Sequence, residues 1–381
     1  MSKSNYIIFH NTKIFYGIGG IHSCIKPGIY QTTDTQEILD IDIAGYYMNI
    51  VAQWGREYGI YPQHLGISFV DVVDQIIAER AKYPKGSGIN NGLKLAGNGG
   101  IFGASKDKFT CIYDLRYFLR IVVAGQLIIL KLVENICSRI PNLKLIQINT
   151  DGITVLIDKD KKGMFIDICN NWEHWSKMKL EYVTYKNMYV QNVNNYIAVS
   201  DKGKVKYKGA YEIIKELHKN DSMRIVRIAV SNYFLENKPI EDTIRNHTNI
   251  YDFCKRFKAT KGWNSEYHHI INGTKVITPS SKNIRYFVSL GNGGLYKKKV
   301  SQLELKHDCL NTIYKEGFLF VDDEEPVTKT QFIGIEAGKS VTLFNKYYEL
   351  PIKDYRIDYL YYIREANKLV SDIENKQSEL F

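Results

Sequence analysis

Two stretches of the chain show the apolar–polar alternation that is typical of β-strands. Between Ile38 and Ile43 the side chains alternate with a period of two, which predicts a strand with one apolar face. Leu143–Asp158 holds two β-branched runs on either side of Asn149-Thr-Asp-Gly152, and Asp-Gly in this position predicts a hairpin, because glycine tolerates the positive φ of tight turns. The hairpin would hold Asp151 at or beside its tip.

A helical period follows the first predicted strand. Apolar residues at 69, 72, 73, 76 and 77 predict a helix over Phe69–Arg80, and a turn follows at 84–88. Asn91–Gly103 is rich in glycine, which weakens a helix and is expected where a backbone must approach something closely. Together these segments predict a helical hairpin with Arg80 on one arm and Lys94 on the other.

The most apolar stretch of the chain is Ile121–Val133, in the middle of a predicted long helix over Leu115–Cys137. Gln126 and Lys131 interrupt it. A membrane-spanning helix needs about 20 apolar residues, so this stretch is too short to cross a bilayer. We interpret it as a buried helix.

Strands and helices continue after the hairpin. A helix and a strand are expected over 163–182, and a further strand is expected over Asn195–Val199. In the next segment three lysines alternate with Val205 and Tyr207 and would form one cationic face of a strand: Lys204, Lys206 and Lys208. That face could follow a phosphate backbone, or it could protect an edge strand from pairing. From about residue 210 we expect helices and basic loops, with a closing amphipathic helix over Ile357–Ile373.

Composition and charge narrow the class of partner. The 381 residues carry a formal net charge of +10 with a pI of about 9.0, which favours a polyanionic partner, nucleic acid before membrane.

Three further features of the sequence bear on function. Met1–Asn5 lacks the apolar core of a signal peptide. Phe15–His22 resembles a phosphate loop but lacks the full G-x-G-x-x-G pattern. The cysteines are scattered without a Cys-x-x-Cys motif, which fits a reducing compartment and argues against zinc: Cys24, Cys111, Cys137, Cys169, Cys254 and Cys309.

The candidate chemistry lies in the carboxylates of the two predicted strand regions. Asp40 and Asp42 share one face of their strand, and Asp151 is held on a rigid turn. If the strands are neighbours, two carboxylates can bind a hard cation such as Mg²⁺. The alternatives are that Asp151 only makes the turn and that the strand face is solvated.

Three ordered motifs resemble those of family B DNA polymerases, most closely the bacteriophage members. The family motif D-x-x-S-L-Y-P-S-I is similar to Asp42-Ile-Ala-Gly-Tyr-Tyr-Met-Asn-Ile50, and D-T-D-S is similar to Asn149-Thr-Asp-Gly152. In the motif K-x-x-x-N-S-x-Y-G, Lys94 and Asn98 keep their spacing, while Phe102-Gly103 arrives one residue late. The three motifs follow the family order. Lys94 lies 52 residues after Asp42, and Asp151 lies 57 residues after Lys94.

This resemblance implies an α+β fold shaped as a polymerase right hand, with an antiparallel-sheet palm, short helical fingers and a mixed or helical thumb. Residues 1–55 would form N-terminal strands and the first part of the palm, 56–105 the fingers, 106–210 the palm with its catalytic hairpin, and 211–381 the thumb and C-terminal region. The thumb resemblance is looser and depends on Ile244–Cys254.

The resemblance also implies roles for individual residues in two-metal nucleotidyl transfer. Asp42 and Asp151 would bind two Mg²⁺ ions, with Mn²⁺ able to substitute, and the backbone carbonyl of Ile43 would help; Asn149 would be a lesser, neutral donor. The nucleotide-binding residues would be Tyr47 as the sugar gate, Arg80 and Lys94 on the triphosphate, and Asn98 beside the base pair. The DNA-binding residues would be Lys186 and Tyr189, from a stretch similar to K-K-R-Y, with Lys204, Lys206 and Lys208.

The expected function is therefore template-directed DNA synthesis from dNTPs on primer–template DNA in phage replication. About 40 residues precede Asp42, too few for the family's exonuclease domain, so a separate exonuclease chain and other replisome proteins are expected partners. The expected location is the cytoplasm, the host's if the protein is viral, without a membrane partner. Two alternatives stay open: a related palm enzyme that makes or copies RNA, and a non-catalytic DNA-binding palm.

Overall fold

A computed structural model describes residues 6–9, 12–213, 222–291, 293–302, 328–336 and 338–374. The chain divides into two units, Met1–Ala210 with Asp372–Phe381, and Tyr211–Ser371. Helices and antiparallel sheets occur in both units, which confirms the predicted α+β class. The finer division into palm, fingers and thumb stays a prediction, and Met1–Asn5 lies outside the described residues.

The first unit is built on a ten-stranded antiparallel sheet with the order β1-β2-β3-β6-β7-β5-β8-β9-β10, in which β4 also pairs with β8. Its strands are β1 (Tyr6–Phe9), β2 (Thr12–Gly17), β3 (Gly20–Cys24), β4 (Gly28–Gln31), β5 (Gln36–Ile43), β6 (Lys144–Asn149), β7 (Gly152–Asp158), β8 (Leu180–Asn192), β9 (Asn195–Ser200) and β10 (Val205–Lys208). Its helices are α1 (Tyr46–Tyr58), α2 (Ser68–Ala81), α3 (Gly88–Leu95), α4 (Leu115–Arg139) and α5 (Lys162–Ser176).

The alternation in β5 separates the two faces of this sheet. Leu39, Ile41 and Ile43 join the large core that α1, α4 and α5 cover. Ile38 belongs to a smaller core on the opposite face, and Asp40 and Asp42 alternate with the helix-facing residues. The two aspartates therefore share the face that α1, α4 and α5 leave free, as the alternation in the sequence predicts.

Helix α4 both confirms and corrects the sequence interpretation. Ten of its residues are buried, and Gly125 lets α1 approach closely enough for the Tyr46 hydroxyl to donate to the Gly125 carbonyl. The helix spans 25 residues, so by length and composition alone it could cross a membrane, and the expectation that it is too short is wrong. Its opposite face is exposed rather than buried, at Leu119, Val123 and Leu127 among others.

The predicted helical hairpin with Arg80 and Lys94 is present as α2 and α3. The buried side chain of Asn90 joins its arms, because its Nδ2 donates to the carbonyls of Arg80 and Tyr83. A π-helix, Ala96–Phe102, continues α3. Phe15–His22 forms the β2–β3 hairpin, and the next described element is the strand β4, which agrees with the incomplete phosphate-loop pattern.

The second unit corrects the expectation of helices and basic loops after residue 210. Its main elements are α6 (Arg224–Glu236), α7 (Ile240–Arg245), β11 (Lys255–Lys258), β12 (Asn264–Ile271), β13 (Thr274–Ser280), β14 (Asn283–Val288), β15 (Gly294–Gln302), β16 (Thr328–Gly334), β17 (Val341–Leu343) and α8 (Tyr359–Glu374). The strands form two antiparallel sheets, with the orders β11-β14-β17 and β13-β12-β15-β16. Asn272 and Gly273 both have positive φ between β12 and β13, the turn that Asn-Gly favours.

The close approach of Gly97 to α1 leads to a stability prediction. A Cβ at residue 97 would overlap the sulfur of Met48, whereas nothing lies within 4 Å of a Cβ at Gly92. We expect Gly97→Ala to lower the free energy of unfolding by about 1–3 kcal/mol through overpacking. Gly92→Ala, in the regular helix α3, should raise it by about 0.5–1 kcal/mol. Urea denaturation of both variants measures this, and equal effects would contradict the packing role of Gly97.

Candidate active site

The predicted hairpin is formed by β6 and β7, and its two-residue turn is Thr150-Asp151. Asn149 and Gly152 are the last paired residues before the turn. The backbone N–H of Ile43 donates to the carbonyl of Asp151 at 2.7 Å, which ties the turn to the end of β5. The strand with Asp42 and the turn with Asp151 are therefore direct neighbours, as a two-carboxylate site requires.

Gly152 is required for space rather than for a positive φ. It lies opposite Asp42 in the β5–β7 register and does not have a positive φ, so the turn argument for this glycine is wrong. A Cβ at this position would overlap Oδ1 of Asp42 and come within 3.1 Å of the Ile41 carbonyl. The missing side chain thus leaves room for the Asp42 carboxylate.

Asp42 is surrounded by other acidic groups. Glu181 lies opposite it on β8, Asp40 precedes it on the same face, and Asp151 is beside it. Partial desolvation and the neighbouring Asp40, Asp151 and Glu181 carboxylates together raise the pKa of Asp42 to about 6, while Lys206 opposes them. A cation bound beside Asp42 would favour its charged form and lower this pKa.

Asp40 forms a buried hydrogen-bonded network behind the site. Its carboxylate accepts hydrogen bonds from the Thr154 hydroxyl at 2.5 Å and the Tyr185 hydroxyl at 3.0 Å. The ammonium of Lys206 lies 3.7 Å from the same carboxylate and 3.3 Å from the Tyr185 hydroxyl. Lys206 also lies over the rings of Tyr185 and Tyr196. Burial lowers the pKa of Lys206, but Asp40 and the tyrosines raise it by more, so its ammonium stays charged beside Asp40.

The opposite wall of the site belongs to the α2–α3 hairpin and the π-helix. Arg80 Nε donates to Asn90 Oδ1 at 3.3 Å, and its guanidinium is close to Gly45, just beyond Asp42 on the chain. Lys94 is exposed and forms no ion pair with any described residue, and Asn98 is exposed one turn further on. This wall presents cations and an amide toward the carboxylates.

The π-helix gives the segment before Gly103 a wide turn. The Gly103 N–H bonds the carbonyl of Asn98, five residues earlier, so the wide turn accommodates one additional residue. Phe102 then stacks on Tyr47 with ring centroids 4.0 Å apart and an angle of 19°. Burial raises the pKa of Tyr47, and the nearby Asp151 raises it further. Tyr47 is thus fixed in a stack beside the acidic group.

One cavity of about 410 Å³ brings these residues together. The sequence-predicted residues that line it are Asp42, Ile43, Tyr47, Arg80, Lys94, Asn98 and Asp151. Sequence reasoning missed Glu181 and Lys85, which also line the cavity and form an ion pair with each other. Only the register of β8 against β5 reveals Glu181, because nothing in its local sequence marks it.

The predicted DNA-binding residues lie outside this cavity. Lys186 is exposed on β8, and Lys208 is exposed on β10 with Lys204 just before it. Tyr189 is buried, with 6% of its surface exposed, and the Lys206 ammonium lies 3.7 Å from Asp40. These placements disfavour direct DNA contacts by the two residues, and their DNA-binding roles stay predictions.

The donor set is compatible with magnesium but not with a closed protein cage. Among the described residues no group of three or more His, Cys, Asp and Glu side chains is arranged to hold a metal ion. Asp42 and Asp151 supply two carboxylates in an open cavity. Mg²⁺ retains several waters and is often bound by one or two carboxylates together with substrate phosphates, so these residues fit it.

The raised pKa of Asp42 leads to a prediction about stability and pH. The folded protein holds the Asp42 proton more tightly than the unfolded chain, so this group makes stability fall as pH rises from about 4 through about 6. Asp42→Asn should therefore raise the free energy of unfolding at pH 7.5, on the order of 1 kcal/mol, because the carboxylate is partly open to water.

Urea denaturation at pH 7.5 and pH 4 measures this difference, which should vanish at pH 4. Asp71→Asn is the control, since the Asp71 carboxylate is exposed and paired with Arg56 on the surface. If Asp42→Asn has the same free energy of unfolding as the parent at both pH values, the charged Asp42 carboxylate does not destabilise the fold.

No protein-family model matches the chain, and no curated protein matches it. Among solved structures, the chain is similar to the family B DNA polymerase from the hyperthermophilic archaeon Pyrobaculum calidifontis, with 12% sequence identity and a TM-score of 0.46. The match covers 93% of this chain and 46% of the archaeal chain, so this chain spans less than half of that polymerase. A likeness of this size carries no argument about function.

Proposed function

We propose that the protein is a template-directed DNA polymerase that transfers nucleotidyl groups from dNTPs to a primer 3′-hydroxyl. The observation that carries the proposal is the single cavity with Asp42 and Asp151 on one side and Arg80 and Lys94 on the other. Carboxylates for metal ions facing cations for phosphates are what phosphoryl transfer requires, since its catalysis is mostly positioning and charge stabilisation.

Asp42, Asp151 and the carbonyl of Ile43 would hold two Mg²⁺ ions, for which Mn²⁺ could substitute. The bound ions would activate the attacking hydroxyl and stabilise charge on the transferred phosphate. The turn hydrogen bond between Ile43 and Asp151 keeps the two carboxylates on a common rigid frame. The Glu181 carboxylate adds negative charge to the same cavity, which favours cations there.

The remaining cavity residues would bind the nucleotide. Arg80 and Lys94 would neutralise the triphosphate, and Asn98 would line the nascent base pair. Tyr47 would lie beneath the sugar, where its ring leaves no room for a 2′-hydroxyl. Its stack on Phe102 supports this role, because a gate must be held in a single position.

Asn149 bears on the non-catalytic alternative, a palm that only binds DNA. Its side-chain oxygen accepts from the Thr150 N–H at 2.9 Å, and Asn149 does not line the cavity. It therefore works as a turn residue, and its replacement of an acidic residue takes no carboxylate out of the cavity. This observation favours catalysis over a binding-only palm.

The setting of the reaction extends the proposal. Primer–template DNA would be held by Lys186, Lys204 and Lys208, in keeping with the net charge of +10. The reaction would take place in a phage replisome in the host cytoplasm, with a separate exonuclease chain as a partner. An RNA-making or RNA-copying palm enzyme is the second candidate, and the stacked Tyr47 favours DNA synthesis over it.

Removal of either carboxylate tests the proposed metal site. Asp42→Ala and Asp151→Ala should each abolish primer extension with Mg²⁺ and dNTPs but leave primer–template affinity largely unchanged. Asn149→Asp should be tolerated. Primer extension and fluorescence anisotropy measure the two properties, and Mg²⁺ should raise the melting temperature of the parent but not of Asp42→Ala. Parental extension rates in either alanine variant would refute the assignment.

Replacement of Tyr47 tests the choice of sugar. Tyr47→Ala should raise the incorporation of ribonucleotides relative to deoxynucleotides, because the ring no longer fills the space of a 2′-hydroxyl. Competition assays with mixed nucleotides measure the ratio. Tyr47→Phe is the matched control, since it keeps the ring and should keep the selectivity. An unchanged ratio in the alanine variant would exclude the gate role.

The salt dependence of DNA binding tests the corrected lysine assignment. If Lys204 and Lys208 each contact a phosphate, their joint replacement by alanine should flatten the slope of log K against log salt by about two, since each contact on duplex DNA contributes about 0.9. Lys206→Met should leave the slope unchanged but destabilise the fold, because it leaves Asp40 buried without its cation. A larger loss of slope from Lys206→Met would restore it as a DNA contact.

A further inference from the structure

Helix α4 carries a second apolar stripe on the side opposite its buried face. Leu119, Val123 and Leu127 follow one another at intervals of four residues and are exposed by 41%, 51% and 63%. Residues at this spacing form one continuous row on a helix. Single exposed apolar residues are ordinary on protein surfaces, but a contiguous row marks a contact site.

Aromatic residues from two other helices turn this row into a groove. Trp54 and Tyr58 project from α1, and Trp175 projects from α5. The rings contact one another. Trp54 lies edge-on to Trp175 with ring centroids 5.2 Å apart and is stacked on Tyr58 with centroids 5.3 Å apart. Trp54 Nε1 also donates to the Ser176 carbonyl at 3.0 Å. The open groove has a volume of about 810 Å³ and is present in the chain without a partner.

The charged residues that line the groove are all basic. They are Arg116, Arg120 and Lys131, and no described acidic residue lines it. Arg120 donates one hydrogen bond to the Gly59 carbonyl, and Lys131 has Glu134 at 3.3 Å on the surface. Arg116 forms no ion pair with any described residue. The groove therefore combines an apolar floor with a positive rim.

We propose that this groove is a docking site for an acidic amphipathic helix of a partner protein. Leucine or aromatic residues of that helix would pack against the apolar row, and its Asp and Glu side chains would meet the basic rim. The row from Leu119 to Leu127 is about 12 Å long at 1.5 Å per residue, and the basic residues at its two ends extend the groove to about four turns.

The charge and shape of the groove favour this occupant over two others. A second copy of the chain carries a net charge of +10 and would bring like charge to the basic rim. A flat bilayer surface would contact the rim but could not fill a concave groove between α1, α4 and α5. The groove also lies on the helix-covered face of the sheet, whereas Asp42 lies on the other face, so docking and chemistry are separable.

The test uses the full chain and three fluorescein-labelled peptides of about 16 residues. The first has leucines at helical i, i+3, i+4 and i+7 spacing and glutamates elsewhere. The second replaces every glutamate by lysine, and the third scrambles the first. Fluorescence anisotropy should show the first peptide binding at least about tenfold more tightly than the others. Its affinity should fall with salt.

Two variants locate the binding. Val123→Glu should weaken the first peptide by about tenfold or more, because it places a charge in the apolar floor. Leu290→Glu, an equally exposed apolar position in the other unit, should not. Val123→Glu should also leave primer extension by the chain alone unchanged, so failure here and failure of the proposed polymerase activity are distinguishable.

Four results would overturn the proposal. They are equal binding of the three peptides, no binding of the first peptide at 1 mM, equal binding by the parent and Val123→Glu, and occupancy of the groove by something else. Occupancy by a membrane would appear as co-sedimentation with phosphatidylserine vesicles, and occupancy by a second copy as a dimer in analytical ultracentrifugation. In either case Val123→Glu would abolish the signal.

Discussion

The close contact between Gly152 and Asp42 is the constraint on which the candidate site depends. With no Cβ at residue 152, β7 pairs directly with β5 while the Asp42 carboxylate occupies the space above the pair. The same pairing brings the turn into position for the Ile43 N–H to reach the Asp151 carbonyl. A larger residue at 152 would force either the carboxylate or the strand to move. The distance between the two candidate ligands is therefore set by backbone pairing and not by flexible side chains.

This arrangement concentrates negative charge, and the protein compensates for only part of it. Lys206 neutralises Asp40 within a buried network of hydroxyl groups, so the acidic residue behind the site is paired. Asp42 has no comparable ion-pair partner among the described residues, and partial desolvation with three neighbouring carboxylates raises its pKa to about 6 although the residue is exposed. Lys85 reaches Glu181, an exposed pair that a stronger cation could displace at little cost. An uncompensated charge at Asp42 lowers stability, and it is what the proposed magnesium site would require before an ion binds.

Local sequence patterns could predict elements and the β6–β7 hairpin, but they could not predict which strands distant in sequence pair. Alternation in β5, the Asp-Gly hairpin and the helical period of α2 gave the positions of Asp42, Asp151 and Arg80 correctly. Glu181 could not be found this way, because its importance arises from the register of a strand about 140 residues further along the chain. Lys206 belongs to the alternating lysines that predict a DNA-binding face, but its ammonium lies beside the buried Asp40 on another strand. The sheets of the second unit were missed although Asn272-Gly273 between two β-branched runs is a hairpin signal.

The π-helix shows how a departure from a motif can be compatible with its chemistry. An additional residue in a regular α-helix would rotate everything after it by about 100° and turn Phe102 away from Tyr47. The i→i+5 bond from Gly103 to Asn98 accommodates that residue locally, and the aromatic stack forms. Gly97, the one glycine of the segment whose Cβ would overlap a neighbour's side chain, permits the wide turn to lie directly on Met48 of α1. The wide turn therefore places Phe102 on Tyr47 without disturbing the regular helix α3 before it.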